Sequence, residues 1–252
     1  MYQTVVFDYS LDLGSVLRSN PDLVSRLLRF TKHLCISNPA SSEDASDILS
    51  RFSPGTLLSL SCFIGSAKQF SCLVEKQRLQ HLPLGISVRV DIHLASSSPL
   101  SSSLTHLEIY SPFCHMPKLD PLTRLTHLSV PYHWFHKGWV RTTLENCRAL
   151  KVLVIQGRMN EADALILHGI DCRVVGIDYT TDPQYWEESW SSEQGIWGRA
   201  EAVIAKRECF IQTNARMFAA DRSGRNGTAM GGKRSICNRR KNMQKGERAA
   251  MA

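Results

Sequence analysis

A six-residue phrase that returns at near-constant distance limits this chain more than any other feature. Leu104-Thr105-His106-Leu107-Glu108-Ile109 comes back as Leu125-Thr126-His127-Leu128-Ser129-Val130, 21 residues on. Leu150-Lys151-Val152-Leu153-Val154-Ile155 fits the same frame 25 residues further along. Thr31-Lys32-His33-Leu34-Cys35-Ile36 matches it without the first leucine, and weaker echoes stand at 57–62, 88–92 and 174–177. In each phrase the residues after the first leucine alternate between apolar and variable, the pattern of a half-buried strand. The intervals carry helix-like material. Val140, Leu144 and Cys147 fall on one helical face of 138–147, and Ala162, Leu165 and Ile166 on one face of 161–168.

One strand and one crossover for every 20–29 residues is the geometry of a leucine-rich repeat. No such unit buries its apolar face alone, so neighbours must stack. The fold expected over 1–181 is therefore α/β, an irregular leucine-rich-repeat-like solenoid with parallel strands. The irregularity follows from Pro112, His133 and Arg158, which stand where a regular repeat carries Asn or Cys. An ordinary α/β domain with similar strands is the alternative.

After the last echo the pattern changes. Asp182 can cap a helix with Pro183 in its first turn and Trp186 and Trp190 on one face. A second helix places Trp197, Ala200 and Ile204 together. Stacked repeats need a cap over the last exposed core, so 182–210 is expected to be a C-terminal helical cap. An aromatic ligand site is the rival assignment for the tryptophans.

Charge separates the remaining 42 residues from the body. Residues 211–252 hold ten Lys/Arg against Asp221 and Glu247, a balance of +8, whereas 1–210 hold 20 basic and 21 acidic residues. The formal +7 of the whole chain thus belongs to the tail, which is expected to be disordered. A folded basic surface that reads nucleic acid is disfavoured. Lys233, Arg234, Arg239, Arg240 and Lys241 form a candidate nuclear localisation signal or a nonspecific nucleic-acid contact. The alternatives are a merely solvated tail or a misread gene.

No apolar stretch has the length of a transmembrane helix, and the start lacks the basic lead and apolar run of a secretory signal. The eight cysteines include no Cys-x-x-Cys pair and sit mostly among apolar neighbours. A reducing compartment, cytoplasmic or nuclear, with free thiols is expected.

Catalytic signatures are scarce. There is no phosphate-binding glycine loop, no Gly-x-Gly-x-x-Gly, no His-Glu-x-x-His and no Gly-x-Ser-x-Gly. No enzymatic activity, cofactor or metal is expected. Cys114, His115, His133 and His136 have a spacing that matches no structural zinc site. The frame itself suggests a different cluster. Its third position, held by His33, His106, His127 and Val152, points away from the core. Equivalent residues on adjacent strands lie about 5 Å apart, so His106 and His127 can stack. They read either as ordinary sheet polar residues or as a pH-sensitive stripe. The same alternation names an outward face: His106, Glu108 and Tyr110; His127, Ser129 and Pro131; Val152, Val154 and Gln156. Such a continuous face suits a protein partner.

Several segments in order carry a family resemblance. They are Tyr2-Gln3-Thr4-Val5-Val6-Phe7-Asp8, Arg29-Phe30-Thr31-Lys32-His33-Leu34, the two Leu-Thr-His-Leu phrases, and Leu144-Glu145-Asn146-Cys147-Arg148-Ala149-Leu150-Lys151-Val152-Leu153. Asp171-Cys172-Arg173-Val174-Val175, Tyr185-Trp186-Glu187 and Trp197-Gly198-Arg199-Ala200-Glu201 complete the set. Over about residues 1–207 the chain resembles the leucine-rich-repeat-like region of fungal F-box proteins, above all the expanded sets of mushroom-forming fungi. That resemblance implies recruitment of a protein target for a cullin-type ubiquitin ligase. In the family a preceding F-box docks a Skp-type adaptor. Here the chain opens on the stretch that normally follows the F-box, so that partner is expected only in a longer form. A stand-alone interaction scaffold, or a degenerate fragment of the family, is the alternative.

Overall fold

The computed structural model describes residues 4–7, 15, 18–36, 42–62, 74, 76–84, 97–109, 119–134, 136–159, 169–178 and 195–225. Eight strands make one sheet: β1 (Thr4–Phe7), β2 (His33–Ile36), β3 (Ser59–Cys62), β4 (His81–Leu84), β5 (His106–Ile109), β6 (His127–Pro131), β7 (Val152–Gln156) and β8 (Val174–Ile177). Their order in the sheet is their order in the chain, and all seven pairings are parallel. Parallel neighbours cannot be joined by a hairpin, so every connection is a crossover. Four described helices lie in these crossovers: α1 (Pro21–Arg29), α2 (Ser42–Ser50), α3 (Pro99–Ser103) and α4 (Lys137–Asn146). The fifth, α5 (Ile196–Arg225), follows the last strand.

The register keeps the repeated phrase aligned from strand to strand. Thr4 pairs with His33, His33 with Ser59, Ser59 with His81, His81 with His106, His106 with His127 and His127 with Val152. Because side chains alternate across a strand, the next residue always faces the opposite side. From β2 to β7 those next residues are Leu34, Leu60, Leu82, Leu107, Leu128 and Leu153, each at most 2% exposed. They form the main core with Val24 and Leu28 of α1, Ile48 and Leu49 of α2, and Val140 and Leu144 of α4. The expected face of Val140, Leu144 and Cys147 is buried as the spacing requires.

A recurrent hydrogen-bond pattern fixes the start of each strand. Lys32, Leu58, Gln80, Thr105 and Thr126 each offer one carbonyl to two consecutive N–H groups of the following strand. Where the residue before the histidine is threonine, its hydroxyl adds another donor: Thr105 Oγ1 to the Gln80 carbonyl at 2.9 Å, Thr126 Oγ1 to the Thr105 carbonyl at 3.1 Å. Local chemistry also sets the helix starts. Pro21 and Pro99 occupy first-turn positions, and Ser98 Oγ accepts from Leu100 N–H at 3.3 Å.

Two expectations need correction. The echo at 88–92 lies outside the described residues, and the strand of that interval is β4, which begins at His81. Pro83 sits inside β4, and a proline argues against a strand in any sequence reading. The composition places the start of a disordered tail at 211, yet α5 runs to Arg225. Ala215, Arg216, Met217, Ala219 and Ala220 favour helix, and the first glycine of the stretch is Gly224. The chain divides into compact units Met1–Glu208 and Cys209–Ala252. In the second, residues 209–225 are described and helical, with Phe210 and Ile211 exposed. The expected helices at 161–168 and 182–190 and the basic residues Lys233 to Lys241 lie outside the described residues.

Candidate functional site

The strand face opposite the main core carries the chemistry. Its first row is Thr4, His33, Ser59, His81, His106, His127 and Val152. Two residues along come Cys35, Ser61, Glu108, Ser129, Val154 and Val175, then Gln156 and Ile177. The alternation in the sequence therefore does bring His106, Glu108, His127, Ser129, Val152, Val154 and Gln156 to one side. Tyr110 lies outside the described residues.

That side is not a free surface. Glu108, Ser129 and Val154 are 0% exposed, and Val152, Gln156 and His127 at most 6%. Ile196, Trp197, Ala200 and Ile204 of α5 pack with Val152, Val154, Val175 and Ile177 into a second core. The helix residues form one stripe of α5, as the spacing of Trp197, Ala200 and Ile204 suggests. A parallel sheet ordinarily has both faces covered, and β6 and β7 are buried at every position. Arg207 fastens the same helix through Nη1, which donates to the carbonyls of Val174 at 2.6 Å and Cys172 at 3.2 Å.

The histidines stack as the repeat implies. The His106 and His127 ring centroids are 4.1 Å apart with planes 10° from parallel. His81, on the strand hidden from the sequence reading, extends the row with its ring edge-on to His106 at 5.6 Å. The Trp197 indole lies across this row, edge-to-face at 6.5 Å from His81, 5.4 Å from His106 and 5.2 Å from His127. His127 Nε2 also meets Glu201 Oε1 of α5 at 3.0 Å. Thr105 and Thr126 hold the Nδ1 atoms of His106 and His127 at 2.8 Å each.

Burial and mutual proximity hold three of these histidines toward the neutral form. His106 is pushed down to about 3, first by burial, then by His127 and His81. His127 is lowered by burial, against which the hydrogen bond and charge of Glu201 pull upward. His33 is lowered by burial, then by His81 and Lys32. Two imidazolium rings stacked this closely would repel strongly in such a setting.

At the edge of the tryptophan a crevice of about 190 Å³ opens over the strand starts, lined among others by His33, Leu58, Ser59, His81, His106 and Trp197. Two of its lining residues, Ser59 and His81, are linked in series to the buried Glu108 on the next strand. Ser59 Oγ lies 3.5 Å from His81 Nδ1, and His81 Nε2 lies 2.9 Å from Glu108 Oε1. The outward face read from the sequence includes Glu108 but neither Ser59 nor His81. The signal for His81 is present in Leu79-Gln80-His81-Leu82, which repeats the leucine–histidine–leucine frame 25 residues before Leu104.

Of the zinc-like spacing, Cys114 and His115 lie outside the described residues. His136 caps α4, its Nδ1 accepting from Gly138 N–H at 3.2 Å. Among the described residues no group of three or more His, Cys, Asp or Glu is placed to hold a metal ion. Among the described residues Cys35, Cys147, Cys172 and Cys209 form no disulfide. Among the described residues no helix is long and apolar enough to cross a membrane. No protein-family model, curated protein or solved structure matches the chain.

Proposed function

We propose that this chain is a protein-interaction module, an irregular leucine-rich-repeat-like solenoid that recognises a protein target. The observation that carries the reading is the parallel sheet whose strands follow chain order at intervals of 21–29 residues. Stacked units of that kind form extended faces suited to partners. With α5 packed on β7 and β8, the open part of the strand face is at the other end, where Val6 is 38% exposed and Thr4 and His33 are partly exposed. Within this reading, and following the sequence resemblance, the module supplies target recognition to an F-box-type ubiquitin-ligase adaptor. A nuclear or cytoplasmic setting fits that role.

The test is the full-length transcript, followed by co-purification of its product. An in-frame F-box segment upstream of Met1, with a Skp-type adaptor retained on the product, supports the ligase role. A transcript that starts at Met1 leaves a stand-alone scaffold. For the module itself, Val6→Glu should abolish binding of an isolated target while leaving the circular dichroism spectrum unchanged. Undiminished binding would move the interface away from β1.

A further inference from the structure

We infer that Ser59, His81 and Glu108 form a nucleophilic relay, and that the crevice above them accepts short uncharged acyl esters. The order of hydrogen bonds fixes the protons. A carboxylate only accepts, so the 2.9 Å contact with Glu108 Oε1 places a proton on His81 Nε2. With that proton on Nε2, Nδ1 is the ring atom left to accept, and the Ser59 hydroxyl donates toward it. The serine thus faces a base whose protonated form a fully buried carboxylate would stabilise, the logic of serine-nucleophile sites on many folds.

Register, rather than a chance loop conformation, brings the three together. Ser59 pairs directly with His81, and Glu108 stands two residues beyond His106, the next member of the row. The Ser59–His81 distance of 3.5 Å is long for a hydrogen bond, as is common before a substrate closes the geometry. Ser59 and His81 both line the crevice, whose volume of about 190 Å³ suits an acyl group of a few carbons. Among the described residues no Asp, Glu, Lys or Arg lines it, and two of its three lining histidines, His33 and His106, are held toward the neutral form. The backbone N–H groups of Ser59 and His81 are committed to the Lys32 and Leu58 carbonyls. A donor available to a developing oxyanion is the Trp197 indole N–H. It is buried, has no acceptor among the described residues, and belongs to a ring that lines the same crevice.

The reaction balances within the site. Ser59 Oγ forms a bond to the ester carbonyl carbon while His81 Nδ1 takes the hydroxyl proton. That proton passes to the departing alkoxide as the ester C–O bond breaks. Water then attacks the acyl-serine by the reverse proton route, releasing the carboxylic acid and restoring Ser59. Glu108 is a positioning residue, since it acts through His81.

The full chain would be treated with a fluorophosphonate probe and the adduct located by intact mass and peptide mapping. In that reaction the Oγ–P bond forms, the P–F bond breaks and fluoride leaves. The expected result is a single adduct on Ser59, absent in Ser59→Ala, and slowed by Glu108→Gln on the order of 10²-fold. Glu108→Asp should recover part of the rate lost in Glu108→Gln, which a merely structural defect would not do. A short ester, p-nitrophenyl acetate, should protect Ser59 and release p-nitrophenolate. Ser61 is an internal control, since it is buried on the same strand without a hydrogen-bond partner among the described residues. No adduct on Ser59, equal labelling of Ser61, or the same rate in urea-unfolded chain would overturn the relay. None of these outcomes bears on target binding, which the labelling does not require.

Discussion

At the scale of single residues, the backbone is most constrained where β7 ends. Gly157 has φ +136°, and a Cβ there would meet Tyr132 Cβ at 3.0 Å. Both the dihedral and the contact exclude a larger residue without movement. Gly157→Ala should therefore lower the free energy of unfolding by about 1–3 kcal/mol in urea titrations. Gly169 is the control, because a Cβ there meets nothing within 4 Å, and Gly169→Ala should leave the midpoint unchanged or slightly raised. The histidines show a second residue-scale effect. One imidazole in a fixed row is an ordinary polar side chain, whereas a neighbour stacked at 4.1 Å helps to depress the proton affinity of His106.

At the scale of elements, α5 is the piece whose role most exceeds its local pattern. Its stripe of Ile196, Trp197, Ala200 and Ile204 is buried against strands whose alternation suggests a half-exposed sheet. Trp197 contributes both to that core and to the histidine row. Trp197→Ala should cost about 3–5 kcal/mol of stability, read from the urea midpoint, because it removes a large side chain only 6% exposed. Trp197→Phe should recover most of it. If the first turns of α5 instead open independently, hydrogen exchange of β6 and β7 would rise in Trp197→Ala with little change in the main transition.

At the scale of the whole molecule, the histidines held neutral make stability fall with acid. The folded-state affinities of His33, His106 and His127 for protons are below their ordinary value of 6.5. Below that pH the unfolded chain binds protons that the folded chain does not. Stability present above about pH 6.5 is accordingly lost as pH falls toward about 3, where His106 titrates. Glu201 opposes the loss at His127, and Asp171, held low by Arg173, keeps its contribution until pH falls below 3.8. Urea midpoints measured from pH 7 to pH 4 should decline, and His106→Gln should flatten the decline. A pH-independent midpoint would mean that the row is solvated rather than closed.

Periodic and local features were legible in the amino acids alone. The frame around Leu104 and Leu125 contained the strands, their outward partners and the stacking of His106 on His127, because a strand alternates its side chains with period two. The stripe of Trp197, Ala200 and Ile204 followed from helical spacing in the same way. Proline hid β4, since a residue that weakens a strand on average is tolerated within this one. Long-range packing, by contrast, settled which sides of β7 are dry. The unbroken run Val152-Leu153-Val154-Ile155 was the available sign that both are, but a short apolar run does not say what covers it. Nor does any local pattern join Ser59, His81 and Glu108, spread over 50 residues. Their meeting depends on strand register, which is set by packing across the whole sheet.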